Sequence, residues 1–326
     1  MIMDISALRE PIKEELELIE LELRKTLSDN SVFTRKVLSH LVSTSGKRFR
    51  PILMCLVSKL NGASPPELIA AANIVELIHT ATLVHDDSID KSPLRRGLPT
   101  VNSLWSDDVA IAMGDYLYSK AFWLLVEKKF YPIMHILAET TNRMSVGEMM
   151  QLERKKDFEI TEEEYLSIIR EKTASLISAS CEIGAYFGWG ENGFRERFSS
   201  FGEKVGLAFQ IVDDLLDFLG DEEVTGKGSG NDLKEGKVTL PLIIALKNAP
   251  KGKKSKILEV VGEEEIGDGH WKEVTTFVNN YGGFQYSREK AKEFGGRARN
   301  ILSEFHSSPI REALNYAVDY VVERES

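Results

Sequence analysis

Twice in this chain an apolar, helix-like run ends in three aspartates spaced i, i+1, i+4. Asp86, Asp87 and Asp90 follow IVELIHTATLVH; Asp213, Asp214 and Asp217 follow KVGLAFQIV, with Leu215, Leu216 and Phe218 interleaved. On a helix this spacing stacks the first and third carboxylates and sets the second beside them. Three like charges on one turn repel, and burying even one unpaired charge is costly. A fold that accepts this twice must bring cations to both places. Clustered carboxylates without neighbouring His or Cys suit a hard, oxygen-preferring divalent ion, and magnesium is usually shared between one or two carboxylates and substrate phosphates. Either triad alone reads equally as a solvated helix end. Two in matching apolar settings predict facing patches that bind a diphosphate through Mg²⁺.

Around the triads, helical periodicity dominates. Residues 5–27 place Ile5, Leu8, Ile12, Leu16, Ile19 and Leu23 on one stripe, and similar patterns cover 33–60, 66–90, 107–128, 131–154, 162–186, 194–220 and 237–248. Breakers separate them: Asn61-Gly62 with Pro65-Pro66, Ser92-Pro93, Gly97 with Pro99, and Gly188 through Gly193. No period-two run bounded by turn residues predicts a sheet. The expectation is an all-α protein, a single large helical bundle over residues 1–326, with a central cavity and two facing aspartate-rich helix ends. The runs 66–86 and 203–219 are apolar nearly all round, which places them in the middle. Residues 220–237, with five glycines and three lysines, read as a mobile loop, and 249–273, a Lys-then-Glu run, as solvated surface.

Charge and cysteine usage remove other classes. The formal charge of −10 argues against a general nucleic-acid binder. Two cysteines, Cys55 and Cys181, make neither a disulfide framework nor a thiolate zinc site. No uninterrupted apolar run reaches the roughly 18 residues of a membrane span, and the charged N-terminus lacks the apolar core of a signal peptide. A cytoplasmic protein is expected.

VHDDSIDKSPLRRG and FQIVDDLLDFLGD resemble the first and second aspartate-rich motifs of the all-trans isoprenyl (polyprenyl) diphosphate synthases. GKRFRP at 46–51, the pair Lys172-Thr173 and DLKEGKVTLPLI from Asp232 resemble the family's other signatures in the expected order, over about 40–245. The resemblance implies condensation of an allylic diphosphate with isopentenyl diphosphate. Asp86, Asp87, Asp90, Asp213 and Asp214 would hold the Mg²⁺ ions, with Asp217 supporting the second patch partly through water. Arg95 would grip the allylic diphosphate with Lys172, Lys227 and Lys237. Lys47, Arg50, His79 and Arg96 would form the metal-free isopentenyl pocket, and Thr173 and Gln210 would lie near the reacting carbons. Residues 226–237 fit a lid. Glu148 and Gln151 match a family segment whose methionines, Met144, Met149 and Met150, read as core or dimer contact. Asp115 and Asp232 match motifs without an assigned role.

Product length follows from helix geometry. Ala81 and Thr82 lie about one turn below Asp86, where the family places bulky aromatics to stop short products. Both are small, and no aromatic occurs from Asn73 through Asp90. A product of about C30–C50 is expected, octaprenyl favoured, with a shorter-chain synthase or the catalytic subunit of a heteromeric synthase as alternatives. Homodimers packed through about 105–155 are the family habit, and so apolar a product suggests transient membrane contact on release. A terpene cyclase would carry a different second metal motif, and a non-catalytic subunit would lack the triads. A di-iron bundle would need two E-x-x-H motifs, where only Glu76 to His79 fits.

Overall fold

Pro65 and Pro66 fix where a long core helix begins: Pro65 is extended (ψ 152°), and Pro66 takes a first-turn position where its missing N–H costs nothing. The computed structural model describes residues 4–28, 31–43, 46–190, 194–219, 230–262 and 268–324. Its helices are α1 (Lys13–Thr26), α2 (Val32–Ser43), α3 (Phe49–Lys59), α4 (Pro66–Ile89), α5 (Asp107–Glu127), α6 (Tyr131–Glu153) and α7 (Glu162–Ile169). After one π-helical turn, Arg170–Ala174, come α8 (Ser175–Trp189), α9 (Phe194–Leu219) and the single turn α10 (Asn231–Lys234). The chain ends through α11 (Leu240–Asn248), α12 (Lys251–Val261), α13 (Asp268–Asn280), α14 (Gly283–Leu302) and α15 (Pro309–Glu323). Side-chain caps start several of them. Thr161 and Glu164 make a reciprocal capping box on α7, and Ser106 and Ser308 cap α5 and α15.

The all-α expectation holds. One hydrophobic core runs from Leu8 to Val321, with Leu53, Ile74, Phe198 and Phe201 wholly buried. α8 packs between α3 and α9, α9 also packs on α14, and α4 lies along α5. The two triads therefore sit at the C-terminal ends of helices held inside the bundle.

Several sequence expectations change. The run 33–60 is two helices, because Arg48 adopts a left-handed conformation (φ 57°) and starts α3 afresh. Residues 249–273 are not plain solvated surface: α12 and α13 cover most of them, Ile257, Val260 and Val261 are buried, and Trp271 packs against the core. Where no strand was expected, Leu94–Arg95 and Leu98–Pro99 pair antiparallel around Arg96 and Gly97, both at positive φ (54° and 74°). That is the two-residue hairpin geometry whose twist matches paired strands. By length and composition α4 and α5 are also apolar enough to cross a membrane; two thirds of the apolar window of α4 is buried in the bundle, as befits a core helix. Residues 220–229, most of the expected loop, lie outside the described residues.

Candidate active site

α4 ends at the first triad and α9 at the second, so six carboxylates gather where each helix dipole is negative. That doubles the demand for cations. The hairpin meets part of it at the first patch. Its strand Leu94–Arg95 turns the Arg95 guanidinium back onto Asp87, with Nε 2.8 and 2.9 Å from the two carboxylate oxygens and Nη2 2.6 Å from one of them. Asp87 is buried by this fork. Asp90 caps α4 and accepts from Lys237 Nζ at 2.7 Å; the same ammonium reaches Glu235 at 2.6 Å. Burial alone would lower the Lys237 pKa, but Asp232, Glu235 and Asp90 outweigh it and hold the ammonium above its ordinary range. Asp86 is 3.9 Å from Lys172 Nζ, and burial pushes its carboxyl up to about 6 despite that lysine.

The second patch divides in the same way. Asp214 is buried and accepts from Tyr165 Oη at 2.6 Å and Gln210 Nε2 at 2.8 Å. Asp217 accepts the backbone N–H groups of Asn231 (3.0 Å) and Asp232 (3.2 Å), pinning α10 against the end of α9. Asp213 stands 54% exposed and accepts from Arg324 Nη2 at 2.9 Å. Burial and Asp232 drive the Asp214 carboxyl well above its usual range and Asp217 to about 8. Burial and the neighbouring Asp232 both disfavour negative charge here, which marks a place short of positive charge.

The π turn joins the patches. Its Lys172 reaches Glu148 of α6 as well as Asp86, and its Thr173 Oγ1 donates to Gln210 Oε1 at 2.9 Å. With Gln210 donating onward to Asp214, a polar chain crosses from the first triad to the second. Lys237, just after α10, makes a second crossing to Asp90. The triads face each other.

A cluster of cations lies beside the first patch. Arg50 Nη1 is 3.0 Å from His79 Nε2, and Arg96 of the hairpin turn is near enough to act on both; Lys47 is placed by a different neighbour, its Nζ 5.7 Å over the Tyr320 ring. Burial lowers the Arg50 guanidinium to about 10, with Glu76 opposing and Arg96 adding to the shift. Arg50 Nε is buried without a hydrogen-bond partner. An orphaned guanidinium N–H among mutually repelling cations awaits an anion.

Burial, and then Arg50, Arg96, Arg95 and Arg48, hold the His79 pKa well below 6.5. Its neutral Nε2 is free to accept from Arg50. A base whose pKa falls on folding leaves the unfolded chain the better proton acceptor, so stability is lost as pH drops below about 6.5. Between pH 6.5 and 5.5 the protein should lose up to about 1 kcal/mol that the variant His79→Gln does not. Urea midpoints across that range check it, and parallel pH dependences would refute the neutral histidine.

The sequence-derived residues are thus mostly brought together, in unequal roles. Lys227 lies outside the described residues. Ala81 is wholly buried, and Thr82 is half-buried with its hydroxyl donated to His79 O at 2.8 Å. Asp87, Asp214 and Asp217, expected to hold or support metal, are each held by two or three protein contacts, whereas Asp86, Asp90 and Asp213 each meet a single lysine or arginine nitrogen among the described residues. Glu148, matched to a family segment, pairs with Lys172. Tyr165, Arg48 and Arg324 were missed. Arg48 lies inside the GKRFRP stretch without an assigned role, yet it clamps Glu20 (2.5 Å) and Glu76 (2.9 Å), which also removes Glu76 from any metal role. Arg324 stacks 4.0 Å over Phe209 beside Asp213. Among the described residues no group of three or more His, Cys, Asp or Glu is placed to hold an ion unaided. This oxygen-only, cation-short donor set fits a divalent ion that completes its shell with water and phosphate.

The sequence matches the polyprenyl synthetase family over residues 32–278. It is 33% identical to a short chain isoprenyl diphosphate synthase of Methanothermobacter thermautotrophicus, covering 96% of this chain and 98% of that one. It is 35% identical to an all-trans-nonaprenyl-diphosphate synthase of Rhodobacter capsulatus, covering 93% of both. The fold superposes on a polyprenyl synthase of Caulobacter crescentus, complexed with calcium and isoprenyl diphosphate, with a TM-score of 0.94, 30% identity and coverage of 100% and 99%. Motifs, site and fold agree: the chain belongs to the polyprenyl synthetase family and is a prenyltransferase.

Proposed function

We propose that this enzyme extends an allylic diphosphate with isopentenyl diphosphate units, using Mg²⁺, to all-trans products of about C30–C50, octaprenyl favoured. The reaction rests on two triads facing each other across the Lys172–Thr173–Gln210 chain, beside a cation cluster with an orphaned Arg50 N–H. Asp86, Asp90 and Asp213, with water and the allylic diphosphate, would hold the ions; Asp87 keeps Arg95 in place and Asp214 keeps Gln210. When bound, the ions neutralise charge building on the diphosphate as the allylic C–O bond breaks. Arg95, Lys172 and Lys237 donate to the same group's oxygens, and Lys47, Arg50, His79 and Arg96 hold the isopentenyl diphosphate. The electron pair of the C–O bond leaves with diphosphate, and the isopentenyl double bond attacks the allylic carbon. A proton is then lost to the released diphosphate, and Gln210 and Thr173 present dipoles to the passing cation.

The long product rests on the small pair Ala81 and Thr82. Relatives of similar identity run from short-chain to nonaprenyl synthases, so likeness alone favours no length. A second copy of the chain is the partner we favour, since α5 and α6 expose Ile111, Trp123, Val126, Val146 and Met149 on the segment expected to pair.

The test is incorporation of labelled isopentenyl diphosphate with farnesyl diphosphate, with and without Mg²⁺, followed by product sizing. Metal-dependent products of C30 or longer are expected, and Ala81→Phe should cut them to about C15–C20, one helical turn rising about 5.4 Å. Short products from the unaltered enzyme would keep the reaction and remove the length assignment. An unchanged distribution from an active Ala81→Phe enzyme would mean the growing chain does not pass that position. No turnover with any primer would require a second subunit or another chemistry.

A further inference from the structure

A π turn closes through i to i+5 hydrogen bonds, here Ser175 N–H to Arg170 O, and is a poorer geometry than the α-helix on either side. Something outside it must hold it. Two glycines stand against it from opposite neighbours. A β-carbon on Gly147 of α6 would overlap the backbone nitrogen of Lys172 and lie 2.9 Å from Glu171 C and Lys172 Cα. One on Gly206 of α9 would lie 2.6 Å from Ala174 Cα and 2.8 Å from its Cβ. The atoms met are backbone, or a β-carbon fixed to it, so they cannot swing aside as a long side chain would. A third hold is polar: Arg143 of α6 forks onto Glu171 at 2.7 and 3.1 Å.

We infer that Gly147 and Gly206 are positioning residues for prenyl transfer, closing α6 and α9 on the π turn so that Lys172 and Thr173 meet Asp86 and Gln210. This rests on the transfer reaction proposed above. The turn carries both groups that bridge the triads, and a misplacement of about 1 Å at such groups costs on the order of 100-fold in rate.

Gly202 provides an internal comparison. It lies one turn earlier on α9, where a β-carbon would come within 2.7 Å of Ile177 O and Ser178 Cα, beyond the π turn. Gly147→Ala, Gly206→Ala and Gly202→Ala should therefore all lower the melting temperature. Only the first two should also lower kcat, by about 10- to 100-fold at a temperature where each is folded, with KM for isopentenyl diphosphate little changed. Amide hydrogen exchange over residues 170–174, followed by mass spectrometry, should quicken in those two and not in Gly202→Ala. Exchange reads the clamp without any turnover, so an inactive unaltered enzyme would refute the reaction and leave the clamp still measured. If neither alanine variant folds, Arg143→Lys loosens the turn without a clash and should lower kcat and quicken the same amides. Exchange at 170–174 and kcat no different from the Gly202→Ala or unaltered enzyme would overturn the inference.

Discussion

Asp213→Asn should reduce kcat/KM for isopentenyl transfer by about 1,000-fold while leaving the fold intact. Asp213 is more than half exposed, and although Arg324 is nearly buried over Phe209, an amide oxygen at 213 can still accept from it, so the change costs no more than about 1 kcal/mol. Little stability is therefore at risk. What goes is a negative oxygen at the position of the second triad that stands most open to water and meets one arginine alone among the described residues. The Mg²⁺ concentration for half-maximal rate should rise together with the loss. An Asp213→Asn enzyme within tenfold of the original, at unchanged metal demand, would remove Asp213 from the ligand set.

Asp87→Asn should fail in the opposite way. Its carboxylate is buried under a three-contact fork from Arg95, and an amide can accept only part of that fork. Breaking a buried pair strands the other charge at a cost of about 3 kcal/mol, which for a chain of this size is a fall in melting temperature of roughly 4–5 °C. Arg95 would lose its aim as well, and kcat/KM should drop about 100-fold. A thermal midpoint equal to that of the unaltered protein would mean the fork carries no structural load.

The two aspartates differ in kind although the sequence writes them identically. Periodicity placed both triads on helix ends, because i, i+1, i+4 has one meaning on a helix. What each carboxylate touches depends on partners brought in from elsewhere. Arg95 reaches Asp87 only because a hairpin of two-residue strands folds back, and strands so short leave no alternation to read. Tyr165 and Arg324 reach Asp214 and Asp213 from distant segments that carry no motif. Arg48 was hidden between two basic neighbours that matched a signature, and its left-handed backbone is a property of the folded chain. The helices after residue 250 were masked by their charge: Lys- and Glu-rich faces looked like surface, while Ile257, Val260 and Val274 made the buried stripe.

The π turn has one consequence for the lineage of such chains. A helix that gains one residue without breaking rotates everything beyond the gain by about 100°. α7 and α8 therefore present faces that no single 3.6-residue wheel can align, and a stripe drawn through 162–186 drifts out of phase at Arg170. Comparison of distant homologues across this segment should meet a one-residue gap at the turn wherever the ancestral helix ran straight. A chain with that gap would lack the offset that turns Lys172 and Thr173 toward opposite triads, and its chemistry would have to be arranged from other residues.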